Sequence, residues 1–268
     1  MEIFLWMFKE KTFKNHYFKL LFCTLGLNIL AIILAVLLYI FAFDKFILEL
    51  FFYITLFFLF LIPNLLPTGY FWELTEKIID RESDIQANSI YGGRIKKTYK
   101  FELPEFNIAK FIWRGFASIV ANIIMVIPYI LLLFLGIKND SFYTFPQILI
   151  ISMILFALLV PALLWNYAKQ DSVFAVLNIP KAVNIIGNYP FRYLKTIILL
   201  FIIYFINAFL DEVVIKMILP YIRGTFDFKD ILIILGVIIY SIFVIIKSFY
   251  LIFVNAYLLG TLAPECEF

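Results

Sequence analysis

The chain has 268 residues, of which 64% are hydrophobic, 20% are aromatic and only 15% are charged. Soluble domains are usually about half apolar and a quarter charged, so this composition excludes a water-soluble globular protein and indicates an integral membrane protein. The net charge is only +3, and the placement of the charges is therefore more informative than their sum.

The first long apolar run predicts a transmembrane helix over residues 20–43. It follows four lysines and contains no charge until its end. At about 1.5 Å per residue, the run is longer than the roughly 30 Å hydrocarbon layer. It lacks the small-residue cleavage site that follows the shorter apolar core of a signal peptide. We therefore predict that this first span is retained.

A second span is predicted over residues 47–68. Pro63, Pro67 and Gly69 are expected to end its helix before Tyr70, because proline interrupts the helical hydrogen bonds. Four further apolar runs predict spans at about 115–137, 146–168, 191–212 and 231–260. The predicted fold is an all-α integral membrane protein, a single membrane domain of six transmembrane helices in three hairpins, with amphipathic surface helices on its cytoplasmic side.

The longest polar segment, residues 73–112, is predicted to be a cytoplasmic loop. A glycine pair near its centre, Gly92 and Gly93, precedes basic residues and is a weak match to a phosphate-binding loop, so a flexible turn is the favoured interpretation. Pro104 is expected to open a helix with Glu105 in its first turn.

The distribution of Lys and Arg predicts the orientation in the membrane. Sixteen of the 22 lie on one side of the predicted spans, five lie on the other, and Lys247 lies within a span. The positive-inside rule then places both termini in the cytoplasm of a cell whose plasma membrane the chain spans.

Each odd-numbered span is preceded by a basic and aromatic stretch, at residues 13–19, 110–114 and 191–195. Ordinary anchoring at the membrane interface is the favoured explanation, and a threefold repeat of surface helix and hairpin is the alternative. Anionic lipid is predicted to contact the following residues: Lys96, Lys97, Lys100, Lys110, Arg114, Arg192 and Lys195.

Three short segments carry a family resemblance. They are residues 103–115, the segment from Pro161 to Val176, and the closing Tyr257-Leu258-Leu259-Gly260. Together they resemble an uncharacterised family of prokaryotic multi-pass membrane proteins, domain of unknown function 4013. That family looks distantly similar to the membrane part of bacterial glycerophosphodiester phosphodiesterases. The resemblance implies a six-span membrane domain and supplies no catalytic residues.

Common catalytic and metal-binding patterns are missing from the sequence. The single histidine, His16, and the two cysteines, Cys23 and Cys266, exclude a disulfide framework and the usual multi-histidine metal sites. No nucleotide-binding loop and no serine nucleophile elbow occur. We predict no catalytic residue, no metal and no cofactor. The acidic pairs Glu73/Glu76 and Glu102/Glu105 are expected to be solvated charges.

Four asparagines fall inside the apolar runs: Asn28, Asn122, Asn207 and Asn255. Hydrogen bonds between helices are the favoured explanation, at about 0.6 to 2 kcal/mol each, and a polar transport path is the alternative.

Lys247 is a cation well inside a predicted span, and such residues are functional candidates by default. In the favoured geometry, span five ends at Leu210, the following residues lie on the membrane surface, and Lys247 extends to the headgroups. In the second geometry, spans five and six form one long hairpin that brings Lys247 near Asn207 and Asp211. With Asn255, these residues form a candidate intramembrane polar cluster.

Three functions remain open. The leading hypothesis is a non-enzymatic, transport-associated or membrane-organising component that contacts membrane lipids and a membrane-protein partner, and no nucleic acid. A self-sufficient small-molecule or lipid carrier is the alternative, and it should contain an intramembrane cavity lined by the asparagines. A lipid-modifying enzyme is the third, and it should gather carboxylates near one membrane face.

Overall fold

The computed structural model describes residues 13–41, 46–90, 103–138, 145–222, 244 and 246–262. These residues form helices and short connections and include no strand, which confirms the predicted all-α class for the described part of the chain. The helices are α1 (Phe13–Phe41), α2 (Phe46–Ile90), α3 (Ile108–Lys138), α4 (Phe145–Gln170), the 3₁₀ helix η1 (Val173–Leu177), α5 (Ile179–Asn188), α6 (Pro190–Ile222) and α7 (Ile246–Gly260).

Three helical segments are long and apolar enough to cross a membrane: Asn15–Ala35, Ile108–Pro128 and Pro190–Val213. Ile154–Gln170 and Ile246–Gly260 are apolar but shorter. Only 17% of the Pro190–Val213 segment is buried in the protein. An apolar surface of this extent is unfavourable in water, so the helices indicate a membrane protein.

The expected end of the second helix before Tyr70 is wrong, because α2 continues through Pro63 and Pro67 to Ile90. The first part of the predicted loop 73–112 is therefore helical. Prolines are tolerated inside membrane helices when hydroxyl side chains and neighbouring helices compensate for the lost backbone bonds. Next to Pro67 the Thr68 hydroxyl donates to the carbonyl of Asn64 at 2.8 Å within the helix, and α3 packs closely against this part of α2.

Gly69 does not end a helix but allows α3 to approach α2. A Cβ atom on Gly69 would lie 1.7 Å from the carbonyl oxygen of Phe111, and one on Gly115 would lie 2.2 Å from that of Leu65. Small residues permit such close backbone contact between membrane helices. The two helices thus cross at two reciprocal glycine contacts.

Most buried side chains lie at one end of the helical bundle, which we call the packed end. Tyr70 lies at its centre, with ring centroids 5.2 Å from Phe111 and 5.5 Å from Phe253, and Trp72 meets Tyr167 at 5.0 Å. The packed end comprises residues 13–21, 65–79, 111–118, 162–168 and 253–262.

The opposite part of the bundle exposes large apolar side chains and is called here the open half. It comprises residues 29–37, 123–134, 150–158 and 201–213. Its outward-facing isoleucine, leucine and phenylalanine residues are suited to contact with lipid chains.

Two helix limits differ from the expectation. The third helix begins at Ile108 and not at Pro104, because Asn107 accepts a hydrogen bond from the backbone N–H of Lys110 at 3.1 Å and caps the helix start. The sixth helix continues past Leu210 to Ile222, which contradicts the favoured geometry for span five. The predicted Gly92–Gly93 turn and the sixth span before residue 244 lie outside the described residues.

Candidate functional site

A buried arginine connects three helices at the packed end. The Arg114 side chain is 2% exposed. Its Nη1 donates to one carboxylate oxygen of Glu73 and one of Glu76, both at 2.6 Å, and its Nη2 donates to the carbonyl of Ala168 at 2.9 Å. A carboxylate oxygen of Asp171 lies 3.1 Å from Nε. We call these residues the Arg114 network.

Local helical geometry explains how the network forms. Glu73 and Glu76 are three residues apart on α2, and Lys110 and Arg114 are four residues apart on α3, so each pair shares one face of its helix. Lys110 Nζ lies 2.6 Å from the remaining oxygen of Glu73. Asp171 follows the last residue of α4 with φ 48°, a left-handed conformation typical of helix C-termini.

The network changes the expected state of Glu73. Burial raises the pKa of the Glu73 carboxyl, but hydrogen bonds from Lys110 and Arg114 and their positive charges lower it by more, so its pKa lies below the ordinary value. Glu73 is therefore an ionised, buried carboxylate, and the prediction that it is a solvated charge is wrong. Of the two acids that α2 contributes, Glu76 is more exposed than Glu73.

The predicted lipid-contacting cations separate into distinct groups. Arg114 is buried and its guanidinium group is paired with carboxylates, so it belongs to the Arg114 network and not to a lipid-contacting surface. Lys110 is half exposed but paired with Glu73. Arg192 is half exposed, with Nη1 3.9 Å from a carboxylate oxygen of Glu82, and Lys195 is exposed. The other three predicted contacts lie outside the described residues: Lys96, Lys97 and Lys100.

A second ion pair connects α6 and α7. Lys247 Nζ lies 2.7 Å from Oδ1 of Asp211, and the two side chains are 13% and 34% exposed. The structure thus brings these residues together as the long-hairpin geometry proposes. Asn207 is one turn from Asp211 on α6, and its Oδ1 atom is buried without a hydrogen-bond partner.

Among the residues that the structure describes, none of the four asparagines from the apolar runs forms the interhelical hydrogen bond that was favoured for it. Asn28 donates to the carbonyl of Thr24 at 2.9 Å, and Asn122 donates to that of Ser118 at 2.8 Å, each within its own helix. Oδ1 of Asn255 is buried and has no partner, like that of Asn207.

A partly open cavity of about 780 Å³ lies between α1, α2, α6 and α7. Its lining is mostly apolar, and Tyr204 lines it from α6. The segment Asn15–Ala35 contributes Thr24 and Asn28 from near its middle. Besides the Tyr204 phenol, the amide and hydroxyl side chains that line it are Thr24, Asn28, Asn64, Thr68, Ser248 and Asn255. Sequence analysis identified only Asn28 and Asn255 of these six.

The acidic residues show no arrangement suited to binding a metal ion. Within the described ranges, no three His, Cys, Asp or Glu side chains are grouped for this purpose. Glu73, Glu76 and Asp171 do converge, but they converge on a guanidinium group.

Comparison with known proteins gives one match. Residues 51–218 match a family described as "Protein of unknown function (DUF4013)". The chain belongs to this family. The matched segment extends from α2 into α6, so it includes the whole Arg114 network and Asp211 but neither α1 nor Lys247. No curated protein and no solved structure matches the chain.

Proposed function

We propose that the protein is a multi-pass membrane protein that binds an amphipathic, lipid-like molecule in the cavity between α1, α2, α6 and α7, as a carrier would. The observation that supports this is the cavity itself, which has a size typical of ligand sites. It combines an apolar lining with a few amide and hydroxyl groups. A membrane-organising protein with a filled core would have no need of such a space.

The position of the cavity favours a ligand that enters from the bilayer. Thr24 and Asn28 lie near the middle of one candidate span, and Tyr204 lies in another. At the rim, Ile29, Ile32 and Tyr204 are more than half exposed. Side chains at this depth face lipid chains, so the opening is accessible from the hydrocarbon layer.

The two asparagines Asn28 and Asn122 provide a matched test. Both donate to the carbonyl four residues earlier in their own helix, but only Asn28 lines the cavity. Purified protein in lipid nanodiscs would be labelled with a photoactivatable fatty-acyl glycerol probe, and the labelled peptides would be identified by mass spectrometry. Labelling of cavity residues should fall at least several-fold in Asn28→Leu and persist in Asn122→Leu. Equal labelling in both variants would contradict the proposal.

A membrane-organising, lipid-contacting component is the second candidate function. Its support is the surface that η1 and α5 form, where Phe174, Leu177, Ile179 and Val183 are exposed beside Lys181. An amphipathic segment of this kind is suited to the headgroup region.

The predicted lipid contacts of Lys96, Lys97 and Lys100 give a test of this second candidate function. Replacing all three with Gln should reduce copurified anionic lipid, since each juxtamembrane cation contributes about 1 kcal/mol. Unchanged bound lipid would contradict a role for these three lysines.

The six-span topology in the cell membrane, with both termini in the cytoplasm, is part of the proposal. It is supported by the unequal distribution of basic residues in the sequence. In a cysteine-free background, a membrane-impermeant reagent applied from outside should label a cysteine at Asn139 but not one at Ser89. Labelling at Ser89 alone would reverse the orientation. A prokaryotic source and distant kinship to glycerophosphodiester phosphodiesterase membrane domains remain predictions.

A further inference from the structure

We infer that the cavity selects an uncharged amphiphile whose polar end donates a hydrogen bond, of the class of long-chain alcohols and monoacylglycerols, over anionic lipids. This inference rests on the proposed function and adds the chemistry of the ligand. Three features support it: the neutral lining, the buried polar atoms without partners, and the internally neutralised charge beside the cavity.

The polar lining is neutral among the residues that the structure describes. It consists of amides and hydroxyls, and none of the lining side chains is charged. A charged headgroup loses its hydration on entering a low-dielectric site and needs an opposite charge there. A neutral headgroup needs only hydrogen-bond partners, which this lining supplies.

Two residues that line the cavity each carry a buried polar atom without a partner. Thr24 is 5% exposed and its hydroxyl makes no hydrogen bond, and Oδ1 of Asn255 is equally unsatisfied. Buried polar atoms almost always have a partner, and leaving one without is unfavourable. An amide oxygen only accepts hydrogen bonds. A ligand hydroxyl that donates to Asn255 would therefore satisfy a group that the protein itself leaves unpaired.

The Lys247–Asp211 ion pair next to the lining offers no net attraction to an anion. Lys247 precedes the lining residue Ser248, but its ammonium group is 2.7 Å from the Asp211 carboxylate. An anionic headgroup would have to displace that carboxylate to reach the ammonium. The pair thus favours a neutral ligand beside it.

The apolar part of the lining is suited to contact the hydrocarbon chain of the ligand. Leu25, Ile29 and Ile32 line the cavity from α1, and Phe249 and Ile252 line it from α7. The two sets provide apolar walls from two different helices. A cavity of about 780 Å³ falls in the range for drug-sized ligands, which favours one acyl or alkyl chain over a complete two-chain phospholipid.

The test is a competition on the full-length wild-type protein in phosphatidylcholine nanodiscs. The probe is a hexadecanol analogue with a diazirine in its chain, and the competitors are hexadecanol, hexadecyl methyl ether and hexadecyl phosphate. The ether retains an oxygen acceptor and loses the donor. Hexadecanol should compete at about tenfold lower concentration than the ether, because one ligand hydrogen bond to a buried group is lost. Hexadecyl phosphate should compete less well than hexadecanol.

A variant identifies the acceptor. Asn255→Leu should reduce the advantage of alcohol over ether to less than about twofold, whereas Asn122→Leu should retain it. The wild-type comparison needs no variant, so it remains decisive if Asn255→Leu does not fold. Equal competition by alcohol and ether at labelled cavity residues would overturn the donor inference and leave the cavity function intact. Absence of competable labelling in the cavity would overturn the proposed function itself.

Discussion

The Arg114 network and the Lys247–Asp211 pair show two ways in which a helical membrane protein holds buried charge. Arg114 is almost fully buried at the packed end and contacts three carboxylates and a backbone carbonyl. Lys247 is less buried and has one described carboxylate contact, 2.7 Å away, close to the cavity. The first arrangement fixes three helices against one another, whereas the second links α6 and α7 through one described ion pair.

The difference follows from the surrounding packing. The Arg114 network lies where reciprocal glycine contacts bring α2 and α3 together and aromatic rings fill the remaining space. Lys247 lies beside a cavity of about 780 Å³. We therefore expect the packed end to tolerate substitution poorly and the region around Lys247 to tolerate it better.

Removing the Arg114 guanidinium should have the largest effect. Arg114→Met retains an apolar side chain but leaves the buried Glu73 with Lys110 as its one remaining described counter-charge. Loss of one member of a buried pair destabilises soluble proteins by about 3–5 kcal/mol, and unfolding in mixed micelles should show a loss of this order. Lys110→Met is the control, since that half-exposed pair should contribute no more than about 1 kcal/mol. Equal losses of stability in the two variants would contradict the distinction between the buried arginine and the half-exposed lysine.

A methyl group at the helix crossing should have the next largest effect. In Gly115→Ala the new Cβ would meet the Leu65 carbonyl oxygen at 2.2 Å, so α2 and α3 must separate. Overpacking typically costs about 1–3 kcal/mol, which thermal unfolding in detergent would detect. Gly26 is also helical, but a Cβ there meets nothing within 4 Å. Gly26→Ala should be neutral or stabilising, and destabilisation of both variants alike would exclude a specific close approach.

Breaking the Lys247–Asp211 pair should have a smaller effect. The sequence alone predicted Lys247 as a functional candidate, but its single described carboxylate contact leads us to expect a smaller effect than for Arg114. A double-mutant cycle with Lys247→Leu and Asp211→Asn should give a coupling of about 0.6–1.7 kcal/mol, the range for polar contacts between membrane helices.

The exposed pair Lys216–Glu212 on α6 is the matched control for that cycle. Both of its side chains are mostly exposed, so the corresponding cycle should show no measurable coupling. If the effects of Lys247→Leu and Asp211→Asn are additive, the two residues are not energetically coupled. That result would contradict the paired arrangement of the long-hairpin geometry.

The sequence predicted the helical class and the apolar segments because each depends on local composition. It did not predict the Arg114 network, because Glu73 and Arg114 lie 41 positions apart and meet only when two helices cross. A signal was present: two acids share one helix face and two bases share another. The prolines and Gly69 were interpreted as helix breakers, because the close packing of α3 against this part of α2 is a tertiary contact that the local sequence does not reveal.

The pH dependence of stability should also distinguish the packed end. The pKa of Glu73 in the folded protein lies below its ordinary value of 4.5 because the bonds from Lys110 and Arg114 outweigh the effect of burial. A depressed carboxyl pKa stabilises the folded state above the unfolded-state pKa, and this contribution is lost as pH falls through the folded-state pKa. Glu73→Gln lacks the titrating group, so it should be less stable than wild type at pH 7.

The difference in stability between wild type and Glu73→Gln should then shrink as pH falls below about 4.5. Thermal unfolding in a non-ionic detergent at several pH values between 7 and 3 would measure it, since such a detergent carries no titrating charge. Glu105→Gln, which removes an exposed carboxylate from the segment before α3, controls for the loss of one negative charge. A Glu73→Gln deficit that is independent of pH would mean that Glu73 stabilises the packed end by shape and hydrogen bonding and not by its charge.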